Sequence, residues 1–204
     1  MTARLIIVRH GNTFETGDIV TRVGGRTDLP LSPEGLEQVR GLVPLVRRTS
    51  PGVCYSSPLR RARQSGELLC QALSLTARPD EDLREIDFGA WEGKTFEEVA
   101  AASPRAVKQW AQFDHKFAFP GGESLGGFLA RVRRVARRLA ADPADTVLAV
   151  THGGVIRMMI CHFLALRPRD YVLFDVAIAG CAILDVFDGK GVLAGLNLGA
   201  REGN

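Results

Sequence analysis

The chain has 204 residues, 46% hydrophobic and 24% charged, with a net charge of +3. That length suits one substantial core and hardly two, and so small a positive balance argues against nucleic acid while suiting an anionic small molecule. No apolar run approaches the roughly 20 residues that cross a bilayer. The first apolar stretch, Leu5–Val8, leads straight into Arg9 and His10, unlike a signal peptide, so a cytoplasmic protein without membrane attachment is expected. Cys54, Cys70, Cys161 and Cys181 show neither a CxxC pair nor metal-ligand spacing and sit in apolar surroundings, as buried reduced thiols do.

Leu5–Val8 reads as a short buried strand. At its end stand Arg9, His10, Gly11, Asn12 and Thr13, and the carboxyl ends of strands in open parallel sheets are where ligands bind. A guanidinium beside an imidazole suits phosphate or carboxylate oxygens, although a strand followed by a polar turn would read the same locally. Residues 14–31, with Gly17, Gly24, Gly25 and Pro30, form a long loop in which Arg22 could reach an anion and Asp28 serves the turn. Ser32-Pro33 starts a helix with Leu36, Val39, Val43 and Val46 on one face and a break expected near Pro44.

A second strand, Gly52–Tyr55, leads into a helix over about 58–73 that turns Ala62, Ser65, Leu69 and Leu73 to the core. Arg60 falls in its first turn, where a cation is unfavourable unless it faces an anion; Arg61 and Arg63 are expected to be solvated. After a short extended piece near residue 77, Glu85 lies among Leu83, Ile86 and Phe88, a partly apolar place for a carboxyl group. Thr95-Phe96-Glu97-Glu98 is a capping box opening a helix to about Ala102, and Ser103-Pro104 opens another to about Phe113. The loop Phe117–Ser124 precedes a helix whose apolar face carries Leu125, Phe128, Leu129, Val132, Val135, Ala136 and Leu139. Its arginines at 131, 133, 134, 137 and 138 read as a solvated face. A strand over 146–150 ends in Thr151-His152-Gly153-Gly154, followed by a helix over 155–164. Two strands close the chain around the Asp188-Gly189 turn.

Strands alternate with helices, which implies an α/β three-layer sandwich with a mostly parallel sheet and helices on both faces. Arg9-His10, Arg60 and His152 then stand at strand ends along one sheet edge. That doubly basic, imidazole-rich set suits a phosphate dianion and lacks the carboxylates expected around zinc or magnesium; His115 and His162 have no ligand spacing either.

Arg9-His10-Gly11-Asn12-Thr13 resembles the opening motif of the histidine phosphatase superfamily, also called phosphoglycerate mutase-like. Ser56-Ser57-Pro58-Leu59-Arg60-Arg61-Ala62 looks like its second motif, Leu83-Arg84-Glu85 with 88–93 its third, and Thr151-His152-Gly153-Gly154 its fourth. The segment Phe119–Ser124 also matches the branch, and the likeness runs in family order from about residue 4 to 198. It implies a single catalytic domain over 1–204 with a small helical lid at about 86–123. It further implies His10 as nucleophile, Glu85 as acid and base, and Arg9, Arg60 and His152 as phosphoryl ligands. Asn12, Arg22 and Gly153 would bind phosphate or substrate, although Asn12 and Gly24 depart from the commoner residues of their positions. No metal or cofactor is implied; the partner is a small phosphorylated metabolite, not nucleic acid or a membrane, and a homodimer is a family-level expectation. Residues 87–93 take the form seen in phosphatase branches, so a phosphomonoesterase is expected ahead of a mutase or a non-catalytic phospholigand- or protein-binding member. Trp91 is expected to pack the Glu85 loop rather than stack on substrate.

Overall fold

Leu5–Val8 lies at the centre of a sheet, and each of its four side chains has no solvent exposure. The computed structural model describes residues 2–14 and 22–200; the stretch 15–21 of the first loop, with Gly17, and the chain ends lie outside the described residues. The sheet contains β1 (Thr2–Arg9), β2 (Val53–Ser56), β3 (Ala77–Pro79), β4 (Thr146–Thr151), β5 (Cys181–Phe187) and β6 (Lys190–Leu198) in the order β3-β2-β4-β1-β5-β6. The first four run parallel, and β5 and β6 add an antiparallel hairpin edge. Its turn places Asp188 and Gly189 at positive φ, 49° and 78°, the backbone that two-residue hairpins favour.

The period of two along β1 sends Leu5 and Ile7 to one face and Ile6 and Val8 to the other. The first face packs on α6 (Leu125–Ala140) and α7 (Gly153–Phe163); the second packs on α1 (Pro33–Gly41), α2 (Val43–Thr49) and α3 (Arg60–Leu73). This is the expected three-layer α/β arrangement. The break near Pro44 falls at Leu42: α1 ends there, and Pro44 sits in the first turn of α2, where its missing N–H costs nothing. The segment 86–123 holds α4 (Phe96–Ala102) and α5 (Pro104–Ala111). Thr95 and Glu98 form the capping box read from the sequence. Trp91, 4% exposed, packs edge-on against Phe119 at 5.0 Å and Trp110 at 5.9 Å, the packing role expected of it.

The four cysteines are unpaired and buried; burial pushes the Cys161 thiol up to about 11 and that of Cys181 up to about 12. Among the described residues, no helix is long and apolar enough to cross a membrane.

Candidate active site

Strand register assembles the site. Arg9 stands opposite Thr151 in the β1–β4 ladder, and His10 N–H donates to the Thr151 carbonyl at 3.0 Å. The residues following two parallel strands thus meet over one carboxyl edge. Gly11 is required by close approach: a Cβ there would come 2.3 Å from the Gly35 carbonyl oxygen, so the start of α1 abuts the strand end.

His10 is half-buried, and its tautomer follows from its partners. Its Nδ1 lies 2.8 Å from the Gly11 carbonyl, which can only accept, so the proton is on Nδ1. Nε2 then presents a lone pair, and Arg61 Nε–H donates to it at 3.1 Å. Burial holds the His10 ring well below its usual titration range, and the Arg61 and Arg9 charges push the same way. His152, 1% exposed, lies with its ring 5.0 Å from that of His10. Its Nε2 meets the Ser57 hydroxyl at 2.9 Å. Burial keeps it neutral too, with His10, Arg61 and Arg9 adding to the effect.

Arg9 donates from Nη1 to the Val176 carbonyl at 2.5 Å. Among the described residues, its Nε and the His152 Nδ1 are buried without a hydrogen-bond partner, which a buried polar group tolerates only at a cost. Arg61 is fixed by the Thr27 carbonyl at 2.7 Å and the Gly25 carbonyl at 2.6 Å. Glu85, 8% exposed, accepts from Ile86 N–H at 3.0 Å and from Gly154 N–H at 2.9 Å. A Cβ on Gly154 would stand 2.5 Å from the Glu85 carboxylate, so only glycine lets that carboxylate reach the start of α7. Arg9, His10, Arg61, Glu85, Gly153 and Arg22 all line one cavity of about 490 Å³, and His152 stands behind that wall with its ring against that of His10.

The structure corrects the readings of Arg60 and Arg61, of Asn12 and of Arg131. The Arg60 side chain is exposed and does not line the cavity; Arg61, 5% exposed, does. The helix starts at Arg60, not Pro58, and Asp28 Oδ1 accepts the Arg60 N–H at 2.6 Å, which fixes the first turn so that the next residue faces inward. The signal was present, because Arg61 precedes the core-facing Ser65 by four residues. Asn12 lies off the cavity wall: its Oδ1 accepts from Phe14 N–H at 3.1 Å and its Nδ2 donates to the Phe14 carbonyl at 3.3 Å, so it shapes the turn. Arg22 reaches the cavity while donating to the Gly93 carbonyl at 2.8 Å.

Arg131, read as part of a solvated stripe, is 7% exposed. It donates to the carbonyls of Asp82, Arg84 and Glu85 at 3.0, 2.5 and 3.0 Å, and grips Glu123 with both Nε and Nη2 at 2.7 and 2.8 Å. Arg134 and Arg138 pair with Asp82 and Asp80 on the same segment. Thr151 adds a hydrogen bond to the Leu83 carbonyl at 2.6 Å. The stripe is therefore largely a clamp on the segment that carries Glu85.

A mostly parallel sheet with a paired-histidine, arginine-rich carboxyl edge places the chain in an α/β class with a basic site at its strand ends, and a family model narrows it. Residues 5–199 match the histidine phosphatase superfamily (branch 1), and the chain belongs to that superfamily. It is 39% identical over 173 residues to a bifunctional protein of Mycobacterium tuberculosis, covering 84% of this chain and 46% of that one. The chain thus spans about half the length of that relative. Phosphoserine phosphatase 1 of Hydrogenobacter thermophilus is 29% identical over 201 residues, covering 98% of this chain and 94% of the relative. The crystal structure of the α-ribazole phosphatase from Shigella flexneri superposes with a TM-score of 0.84 at 26% identity, over 98% of this chain and 99% of that one.

Proposed function

We propose that the chain is a phosphomonoesterase acting in the cytoplasm on small phosphorylated metabolites, through a phosphohistidine at His10 and without a metal, in the manner of a histidine acid phosphatase. The observation that carries this reading is the neutral His10, with its proton held by the Gly11 carbonyl and its Nε2 lone pair toward Arg61. The phosphatase names of the relatives agree with it.

When a phosphate monoester binds, the Arg61 Nε–H turns from His10 to a phosphoryl oxygen, which frees the lone pair. The unpartnered Arg9 Nε supplies a second donor. With the Ser57 hydroxyl donating to His152 Nε2, the His152 proton stays on Nδ1 as a third. Each such preorganised donor is worth on the order of 3 kcal/mol as charge shifts onto the equatorial oxygens. Nε2 forms a bond to phosphorus in line as the ester P–O bond breaks, and Glu85 gives its proton to the departing alkoxide. Glu85 then takes a proton from water, whose oxygen attacks phosphorus and releases His10. Gly153 packs against Arg9, Arg22 stands at the cavity wall, and the segment 86–123 serves as a lid that carries Ile86, Phe88, Trp110 and Phe113 into that wall.

The test is phosphate release from 4-nitrophenyl phosphate. His10→Ala abolishes turnover with the fold retained by circular dichroism, and undiminished turnover would sink the mechanism. Glu85→Gln slows alkyl phosphates far more than aryl ones, since a phenolate leaves without a proton; equal losses would remove Glu85 from the acid's role.

A further inference from the structure

A cavity of about 490 Å³ is more than a phosphate on a short-chain alcohol fills; pockets of this size bury drug-sized ligands. Beyond the phosphate end, the wall is apolar and largely aromatic, with Phe88, Phe113, Leu125, Phe128, Met158 and Tyr171. Among the described residues, the remaining charged groups on that wall are Arg22 and Arg157, and both are engaged. Arg22 donates to the Gly93 carbonyl and stands 3.8 Å from Glu98. Arg157 donates to the Phe174 carbonyl at 2.8 Å and stands 3.7 Å from Asp175. An apolar ring meets most of that wall directly, whereas a second anionic group would have to reach the N–H groups that Arg22 and Arg157 keep free.

The wall is also held in place. Phe113 follows α5 at φ 57°, a left-handed position that usually falls to glycine. A bulky side chain keeps that backbone only where its surroundings fix it. Its ring lies 5.4 Å from that of Tyr171, tilted by 43°. Tyr171 comes from the 3₁₀ turn Pro168–Leu173, is half-buried and lines the cavity. Phe88, on the same wall, is braced edge-on by Phe119 at 4.9 Å.

We propose that the alcohol released from the substrate carries a flat apolar ring, received by the Phe113–Tyr171 wall and by Phe88. This deepens, and rests on, the phosphomonoesterase reading of the same cavity. Phe113 and Tyr171 are then specificity-determining residues, and a short carboxylate-bearing phosphate such as O-phosphoserine is the poorer substrate.

The experiment compares 3-phenylpropyl phosphate, propyl phosphate and O-phosphoserine by phosphate release. Calorimetric binding of 3-phenylpropylphosphonate and propylphosphonate runs in parallel. The two esters have similar leaving groups, so their ratio reads the ring alone. Burying a phenyl group predicts at least about a tenfold advantage in kcat/KM for the phenylpropyl ester, with a matching gain in phosphonate affinity. Tyr171→Ala and Phe113→Leu each bring both ratios toward one. Ratios near one in the unaltered protein, ratios unmoved in both variants, or a preference for O-phosphoserine would overturn the proposal. Tighter, Tyr171-dependent binding of the phenylpropylphosphonate without turnover of any ester would refute the phosphatase reading and leave ring recognition standing.

Discussion

Replacing Arg131 by methionine keeps an unbranched stem but deletes the guanidinium, whose carbon stands 4.9 Å from the centre of the Phe128 ring. What is lost is a forked ion pair to Glu123, between side chains only 9% and 15% exposed, together with hydrogen bonds to three carbonyls of the Glu85 segment. Removing one partner of a buried pair costs about 3–5 kcal/mol, because the other charge is left unpaired. Here the lower end applies. Glu123 keeps Arg26 at 3.7 Å and the Asp87 N–H at 3.4 Å, and its own site is not fully dry. About 3 kcal/mol is a large part of the roughly 5–15 kcal/mol that holds a domain folded. Urea denaturation followed by circular dichroism measures it, and the cycle with Glu123→Gln assigns it. In that background the stranded charge is absent, and the cost of Arg131→Met falls well below its value in the native chain. The same variant loosens the main chain at Glu85, so kcat/KM falls further for alkyl than for aryl phosphates. A cost under about 1 kcal/mol, or one unchanged by Glu123→Gln, would refute the ion-pair account; an unchanged alkyl-to-aryl ratio would refute the positioning role.

Two further outcomes are expected. Arg61→Ala lowers kcat/KM on the order of 10²–10³-fold, while Arg60→Ala, whose side chain points to solvent, leaves it near the native value; steady-state phosphate release checks both, and the reverse order would restore Arg60 to the site. The lowered values of His10 and His152 mean that the unfolded chain takes up protons below about pH 6.5 that the folded chain refuses. Stability is therefore full above that pH and falls as pH drops below it, by at most about 1.4 kcal/mol per pH unit for each ring. Urea midpoints between pH 7.5 and 5 read this, and NMR titration of either ring near pH 6.5 in the folded protein would contradict it.

What was legible in the sequence is what local chemistry fixes. The Thr95–Glu98 capping box and the Asp188-Gly189 turn follow from a few adjacent side chains and stand where expected, and the break expected near Pro44 falls two residues earlier. The failures were of phase and of partner. A helix start misplaced by two residues rotated Arg60 inward and Arg61 outward, since each residue turns the face by about 100°. Asp28, whose carboxylate sets that start, lies 32 positions away. Arg131 was assigned to solvent because arginine on an amphipathic helix normally belongs there; its carbonyl partners lie 46 to 49 positions distant. Asn12 sat in the right motif, but its own turn claimed its side chain.

The division between legible and illegible residues follows how the molecule is built. His10, Arg9 and His152 lie at the ends of paired central strands, where a single parallel register, Arg9 against Thr151, sets their spacing. A pattern of apolar runs ending in polar residues is therefore enough to bring them together. The wall opposite is assembled from the segment 86–123, from the start of α6, from the middle of α7 and from the 3₁₀ turn at Pro168–Leu173, which have no common register. Their relative placement depends on packing such as Phe113 against Tyr171, separated by 58 positions, that no local period encodes. In the proposed mechanism, rigid strand ends hold the groups that must meet phosphorus within fractions of an ångström. Loops and short helices then hold the groups proposed to choose the alcohol, so a substitution there is expected to change the substrate without disturbing the chemistry.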